Sequence, residues 1–341
     1  MEKRREIDFA NVCLCVLVML IHILSRAVGA LERESLQYAV VFVPWRLASF
    51  VVQGFIFLSA MKYFMKFGRG EQRLDYGGFL VSRIKTIILP YILWNLIYYF
   101  TLMPLGYFIF DPAELIGYIL RGDMISHFYF VVVIVQFYLL MPLWIWLVRK
   151  ARAAVLVPLS LIVMIAFGQY LAVGYAYNDR IFLKYIFYWI CGCYAGMHYE
   201  KVMAFLKKYG FAAAALFVLA AASDAGFTLL NSSGRMYVRG LENIHIVYCS
   251  LAVAFIFAAS LWKTGKIVDN PVFAMINRQS YNIYLSHCLV LYFADGFTER
   301  LITSSQGGIL IMRLICCYGV TFVCWGAYDR IKRLKRAKSG C

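Results

Sequence analysis

A chain of 341 residues that is 63% apolar and only 15% charged, with a mean hydropathy of +0.72, carries more apolar surface than a water-soluble core can bury, which excludes an ordinary soluble enzyme. Its formal net charge of +16 would suit a nucleic-acid binder, but no nucleic-acid motif accompanies that charge. Apolar runs of about 17–25 residues instead define an all-α, multi-pass membrane protein of about ten spans, one domain over 1–341 ending in a basic tail, 329–341.

The first span, 8–28, carries Asp8, Asn11, Cys15, His22, Ser25 and Arg26. At 100° per residue all six fall within one sector of about 100°, a polar stripe along a helix destined for lipid. Such groups cost several kcal/mol in hydrocarbon unless they face protein or a wet cavity, so the stripe marks a buried working surface. Lys3-Arg4-Arg5 ahead of this run and Ala27-Val28-Gly29 behind it also resemble a secretory leader with its cleavage site. The run is long for a leader, and a retained anchor is the reading adopted.

The second span, 39–65, encloses Arg46, costly in hydrocarbon unless it snorkels or pairs, and runs through Phe55-Ile56-Phe57-Leu58-Ser59. A glycine-rich basic connection, 67–78, with Arg69 and Arg73, leads to Arg83 and Lys85 at the rim of the third span, 84–103, which holds Pro90-Tyr91-Ile92-Leu93-Trp94. Within the connection 104–126, Asp111-Pro112 is a start signal for a short interfacial helix. His127 and Tyr129 open the fourth span, 128–148; 154–175, 181–198, 212–230 and 244–262 follow. The ninth, 280–293, is short and polar at its start and contains Tyr284 and His287; the tenth is 309–325.

Charge tests this map, because cytoplasmic segments of membrane proteins are enriched in Lys and Arg. With both termini cytoplasmic, 24 of the 34 basic residues fall on the inner segments, where topology and anionic lipid account for them. Ten cysteines invite a metal reading, but Cys13 and Cys15, like Cys191 and Cys193, diverge on a helix and cannot clamp an ion together, so no metal site is expected. His198 and His245 sit at helix ends. His22, at ~21 Å above the inner boundary, His127 and His287 can all reach the outer half of the bilayer.

These segments carry a family resemblance over almost the whole chain. His22 on the first helix, Phe55 to Ser59 on the second, Arg83 to Trp94 on the third, His127-Phe128-Tyr129-Phe130 with Tyr138 and Pro142, and Ser280 to His287 resemble, in order, elements of the integral-membrane acyltransferase 3 superfamily. Three positions depart from that pattern. Asn11 stands where the family often has Arg, Ala60 stands for a Gly, and Arg83 with Lys85 stands for an Arg-x-x-Arg pair.

The resemblance implies transfer of an acyl group, acetyl by default or succinyl, from cytoplasmic acyl-coenzyme A to a hydroxyl of an extracytoplasmic glycan or glycolipid at the plasma membrane. A thioester is already activated, so the step needs a base and oxyanion donors. His22 is the implied base or transient acyl carrier, with Asp8, Asn11 and His127 completing the catalytic set; Asp8 orients Asn11 or the donor's entry, helix capping being its alternative. Arg83, Lys85, Ser59 and Trp94 are assigned to coenzyme A, and Arg26, Arg46, Tyr129, Tyr284 and His287 to the acceptor. The rival reading is a flippase that uses the stripe as a path without chemistry.

Overall fold

The computed structural model describes residues 4–68, 72–262, 265–301 and 305–338; Arg69 and the last residues of the basic tail lie outside them. In chain order the helices are α1 (Arg5–Ala30), α2 (Leu36–Ala48), α3 (Val51–Phe67), α4 (Tyr76–Arg83), α5 (Leu89–Leu102), α6 (Pro112–Arg121), α7 (Tyr129–Leu139), α8 (Met141–Lys150), α9 (Ala153–Ala166), α10 (Ile186–Met197), α11 (Tyr199–Ser232), α12 (Leu241–Ser260), α13 (Gly265–Val268), α14 (Pro271–Leu301) and α15 (Gln306–Lys338). The described residues contain no strand, so the all-α class holds.

Among these residues seven helices are long and apolar enough to cross a membrane, and an eighth if α7 and α8, bent by 60°, form one broken span. The remaining two expected spans depart from that description for different reasons. A helix of 12 residues, α10 rises only about 18 Å. With 31 residues α14 is long enough, but Asn277, Gln279, Ser280, Asn282, Ser286 and His287 make it polar. The short interfacial helix appears where Asp111 predicts it: its carboxylate accepts the Ala113 and Glu114 amides at 2.8 and 3.1 Å and caps α6.

By contact the chain divides into two compact units, Met1–Gly54 with Met203–Cys341, and Phe55–Val202. In the first, α1 is central, with Ala10, Cys15, Met19 and Ile23 wholly buried. Its C-terminal half packs against α2 through Leu24, Ala27 and Val41, joined by Trp45 and Leu310. Arg278 on α14 pairs with Asp329 on α15, and Arg313 with Asp295, so α14 and α15 form an antiparallel hairpin. Asp8 meets Asn277 and Arg26 meets Asp295, so α1 runs parallel to α14. The start of α1 and the end of α15 therefore lie at the same end of this unit.

In the second unit, Gly192 and Gly196 let α10 approach α3 closely. A Cβ on Gly192 would collide with the Phe57 carbonyl oxygen and with Ala60, which explains why position 60 must stay small. Gly192→Leu is expected to cost about 1–3 kcal/mol, read as a lower unfolding midpoint in detergent. Gly226, whose Cβ would meet nothing within 4 Å, is the control, and Gly226→Ala should be neutral or stabilising. Pro142 cannot donate into the turn before it, which produces the α7–α8 bend; the Trp144 indole N–H takes the Phe137 carbonyl there, at 3.0 Å.

Candidate active site

The polar stripe of α1 is met by a second one. At 100° per residue Asn277, Ser280, Tyr284, His287 and Asp295 fall within about 80° on α14, and because the two helices run parallel the rows pair in ascending order. Asn277 donates its amide to Asp8 Oδ1 at 2.7 Å and accepts from Asn11 Nδ2 at 2.8 Å. Asn11 also donates to Ser280 Oγ at 3.0 Å, and Cys15 Sγ lies 3.8 Å from the Ser280 carbonyl. Ser25 turns to its own helix, donating to the His22 carbonyl at 3.0 Å. Near the far end Arg26 pairs with Asp295 and lies 4.6 Å from the Tyr292 ring centre, while Arg313 takes the other Asp295 oxygen at 2.6 Å.

Midway along the seam, His22 and His287 bring their rings together, 5.3 Å between centroids and tilted by 49°. His287 is wholly buried, and its Nδ1 lies 2.8 Å from the Tyr284 carbonyl and 3.1 Å from that of Ile283. Carbonyl oxygens only accept, so Nδ1 carries the hydrogen and the neutral ring keeps its lone pair on Nε2. That nitrogen lies 3.4 Å from Cys288 Sγ. The donor atoms of His22, His287 and Cys288 all lie within 4.8 Å of one another, a grouping that cysteine spacing alone does not reveal. Tyr284, buried beside the pair, has its ring centre 6.4 Å from that of His287.

Arg46 is committed elsewhere in the same unit. Its Nε and Nη2 each donate to the fully buried carboxylate of Asp224 at 2.8 Å. His245 Nδ1 approaches the same carboxylate at 3.1 Å, and its Nε2 lies 3.3 Å from Cys249 Sγ. Asp224 was not among the residues singled out in the sequence, although a lone acid in one span and a lone arginine in another are a signal to pair them.

The second unit gathers Ser59 and Arg83 but not Lys85. Ser59 Oγ is 2.9 Å from the Tyr138 hydroxyl, and Arg83 donates to the Tyr63 hydroxyl while lying 5.4–5.9 Å from the ring centres of Tyr63, Phe79 and Tyr138. A guanidinium stacks favourably on aromatic rings, which holds Arg83 in place among them. Lys85 is exposed on the π-helical turn Ile84–Ile88, which forms just ahead of Pro90, where the α-helical bond ladder is broken. Trp94 stands 6.1 Å from Tyr98, which with Tyr91 packs on Phe128 beside the buried His127. Tyr129 shares a side-chain hydrogen bond with Tyr185.

A family model described as "Acyltransferase domain" matches residues 4–328. The chain belongs to the acyltransferase 3 family. This acyltransferase 3 protein is also similar to a Staphylococcus aureus protein named "Probable poly-beta-1,6-N-acetyl-D-glucosamine export protein", at 26% identity over 87% of the chain and 85% of the relative. A Staphylococcus epidermidis protein of the same name is 25% identical over 87% of the chain and 84% of the relative. No solved structure matches the chain. The match to the acyltransferase 3 model covers residues of both units, those of the α1–α14 seam and of the Arg83 box included.

Proposed function

We propose that this chain is a plasma-membrane O-acyltransferase, both termini cytoplasmic, that moves an acyl group from cytoplasmic acyl-coenzyme A to a hydroxyl of an extracytoplasmic polysaccharide or glycolipid. The observation that carries the reading is the His22–His287 ring pair, seated midway along a partly buried polar seam in a chain of acyltransferase membership. Acetyl is the default acyl group and succinyl the alternative. The printed names of the relatives favour a poly-β-1,6-linked N-acetylglucosamine as acceptor. Basic residues crowd the end where α1 starts and α15 stops, Arg278, Arg330 and Arg333 among them, which supports a cytoplasmic assignment for that end.

In the proposed step neutral His22 takes the proton of the acceptor hydroxyl as its oxygen attacks the thioester carbonyl. The carbon–sulfur bond breaks, the electron pair leaves on the coenzyme A sulfur, and the proton held by His22 passes to that thiolate. Passage through an acyl-histidine is the two-step variant. His287 holds the His22 ring, and Asp8, Asn11 and Asn277 fix the helix pair beneath it. His127 remains a member of the catalytic set on the resemblance, and Tyr129 and Tyr284 are stacking surfaces for the acceptor. Arg26, neutralised only in part because Asp295 serves two arginines, faces the acceptor's polar groups, whereas Arg46 supports the fold through Asp224.

Arg83 is the donor contact in this scheme, with Ser59 and Trp94 about it and Lys85 at the rim. Arg83→Gln is expected to raise the KM for acyl-coenzyme A about tenfold or more with a smaller change in kcat, the pattern of a lost charge-assisted phosphate contact. The overall test is transfer itself. Protein in proteoliposomes is given acyl-labelled acetyl- or succinyl-coenzyme A and a β-1,6-linked N-acetylglucosamine oligosaccharide, and alkali-labile label on the sugar is the expected result. Movement of the oligosaccharide across the bilayer with no label on it would instead establish the export reading that the relatives' names favour.

A further inference from the structure

Between the start of α14 and the end of α15, in the first unit, lies an open groove of about 1010 Å³, at the upper end of the ~300–1,000 Å³ typical of ligand pockets. Its walls are apolar: Val272, Met275, Phe322 and Val323 line it, and Val272 and Val323 are 55% and 71% exposed. Its polar floor is closed. Both Asp329 oxygens accept from Arg278, at 3.0 and 2.6 Å, and Gln279 adds a third bond at 3.1 Å. With Asp329 thus neutralised by Arg278, the exposed Arg330 and Arg333 are surplus charge on the rim.

The order of these groups along α15 matters. Val323, Gly326, Arg330, Arg333 and Ala337 lie within about 80° of one another at 100° per residue, so one groove-facing row passes from apolar to cationic toward the helix end. We infer that this groove binds an anionic phospholipid of the adjoining leaflet, its phosphate on Arg330 and Arg333 and its acyl chains along Val272, Met275, Phe322 and Val323. The apolar wall matches the tail, and the surplus of two positive charges matches a head group of net negative charge. This inference stands independently of the acyl-transfer reading.

Each cationic residue near an anionic head group favours it by about fivefold, so the pair should give about 25-fold preference for phosphatidylglycerol over phosphatidylcholine. The test is native mass spectrometry of the full chain titrated with each lipid, with retained lipid counted per protein. Wild type is expected to retain phosphatidylglycerol selectively, and an R330Q/R333Q double variant of unchanged unfolding midpoint should lose the selectivity while still binding lipid. A second variant, Val323→Asp, should lose retention of both lipids. Equal retention of the two lipids by wild type, undiminished selectivity in R330Q/R333Q, or displacement of the phosphatidylglycerol by micromolar coenzyme A would each overturn the proposal; the last would assign the groove to the thioester donor.

Discussion

Replacing His22 with glutamine should lower kcat for acyl transfer by about 10²–10⁴, the range a positioned general base contributes, while the KM for acyl-coenzyme A stays within about twofold because the donor contacts are untouched. Glutamine keeps a hydrogen-bonding amide in the seam, and the half-buried position of His22 tolerates the change in shape, so an unaltered unfolding midpoint accompanies the loss. A positioning role for His287 gives a different signature. In His287→Asn the amide can still donate to the Tyr284 carbonyl, so partial activity and a displaced pH profile are expected rather than abolition. The three donor atoms of His22, His287 and Cys288 make one control necessary. Transfer that survives exhaustive chelation, together with a damaging His22→Gln, fixes base chemistry; transfer lost on chelation and restored by Zn²⁺ would move the role of His22 from base to ligand.

The second large effect concerns stability. Arg46→Leu leaves the Asp224 carboxylate, wholly buried, with the His245 imidazole as its remaining hydrogen-bond partner, and breaking a buried pair by removing one member typically costs about 3–5 kcal/mol. The expected readout is a large drop in the unfolding midpoint and in recovered protein. Arg46→Leu combined with Asp224→Leu should regain most of that loss, because neither charge is then stranded. If the double variant is no better than the single, Arg46 acts through something other than Asp224, and its assignment to acceptor binding regains force. Gly192→Leu and Arg83→Gln probe smaller terms, one of packing and one of affinity.

Much of this architecture is written in the one-dimensional pattern, and particular residues show where that pattern stops. The α1 stripe needed only a period of 3.6, and the Asp111 cap only its own side chain and two amides. What faces the stripe needed a fold. The same wheel drawn for 271–301 gives Asn277, Ser280, His287 and Asp295 on one face, yet nothing local says that the two rows meet in parallel. For the same reason α14 reads as a short, weak span in the sequence: hydropathy charges each polar group against lipid, whereas in the fold α1 satisfies Asn277 and Ser280, and α15 binds Gln279 and Ser286. Arg46 was legible as costly, not as paired, since Asp224 lies 178 residues away. The Arg83 box escaped because aromatic residues are everywhere in this chain and their edge-to-face packing has no sequence period.

The parallel seam between α1 and α14 also sets a clock. His22 is made 265 residues before His287, and at about 5–20 residues per second that interval lasts on the order of 15–50 s. Throughout it the newborn first helix carries Asp8, Asn11 and Arg26 while Asn277, Ser280 and Asp295 are not yet synthesised. Until the final hairpin emerges, those groups must be satisfied by water, lipid head groups or the translocation channel. The groups that hold the finished seam together are thus a cost to the unfinished chain, carried until α14 is made.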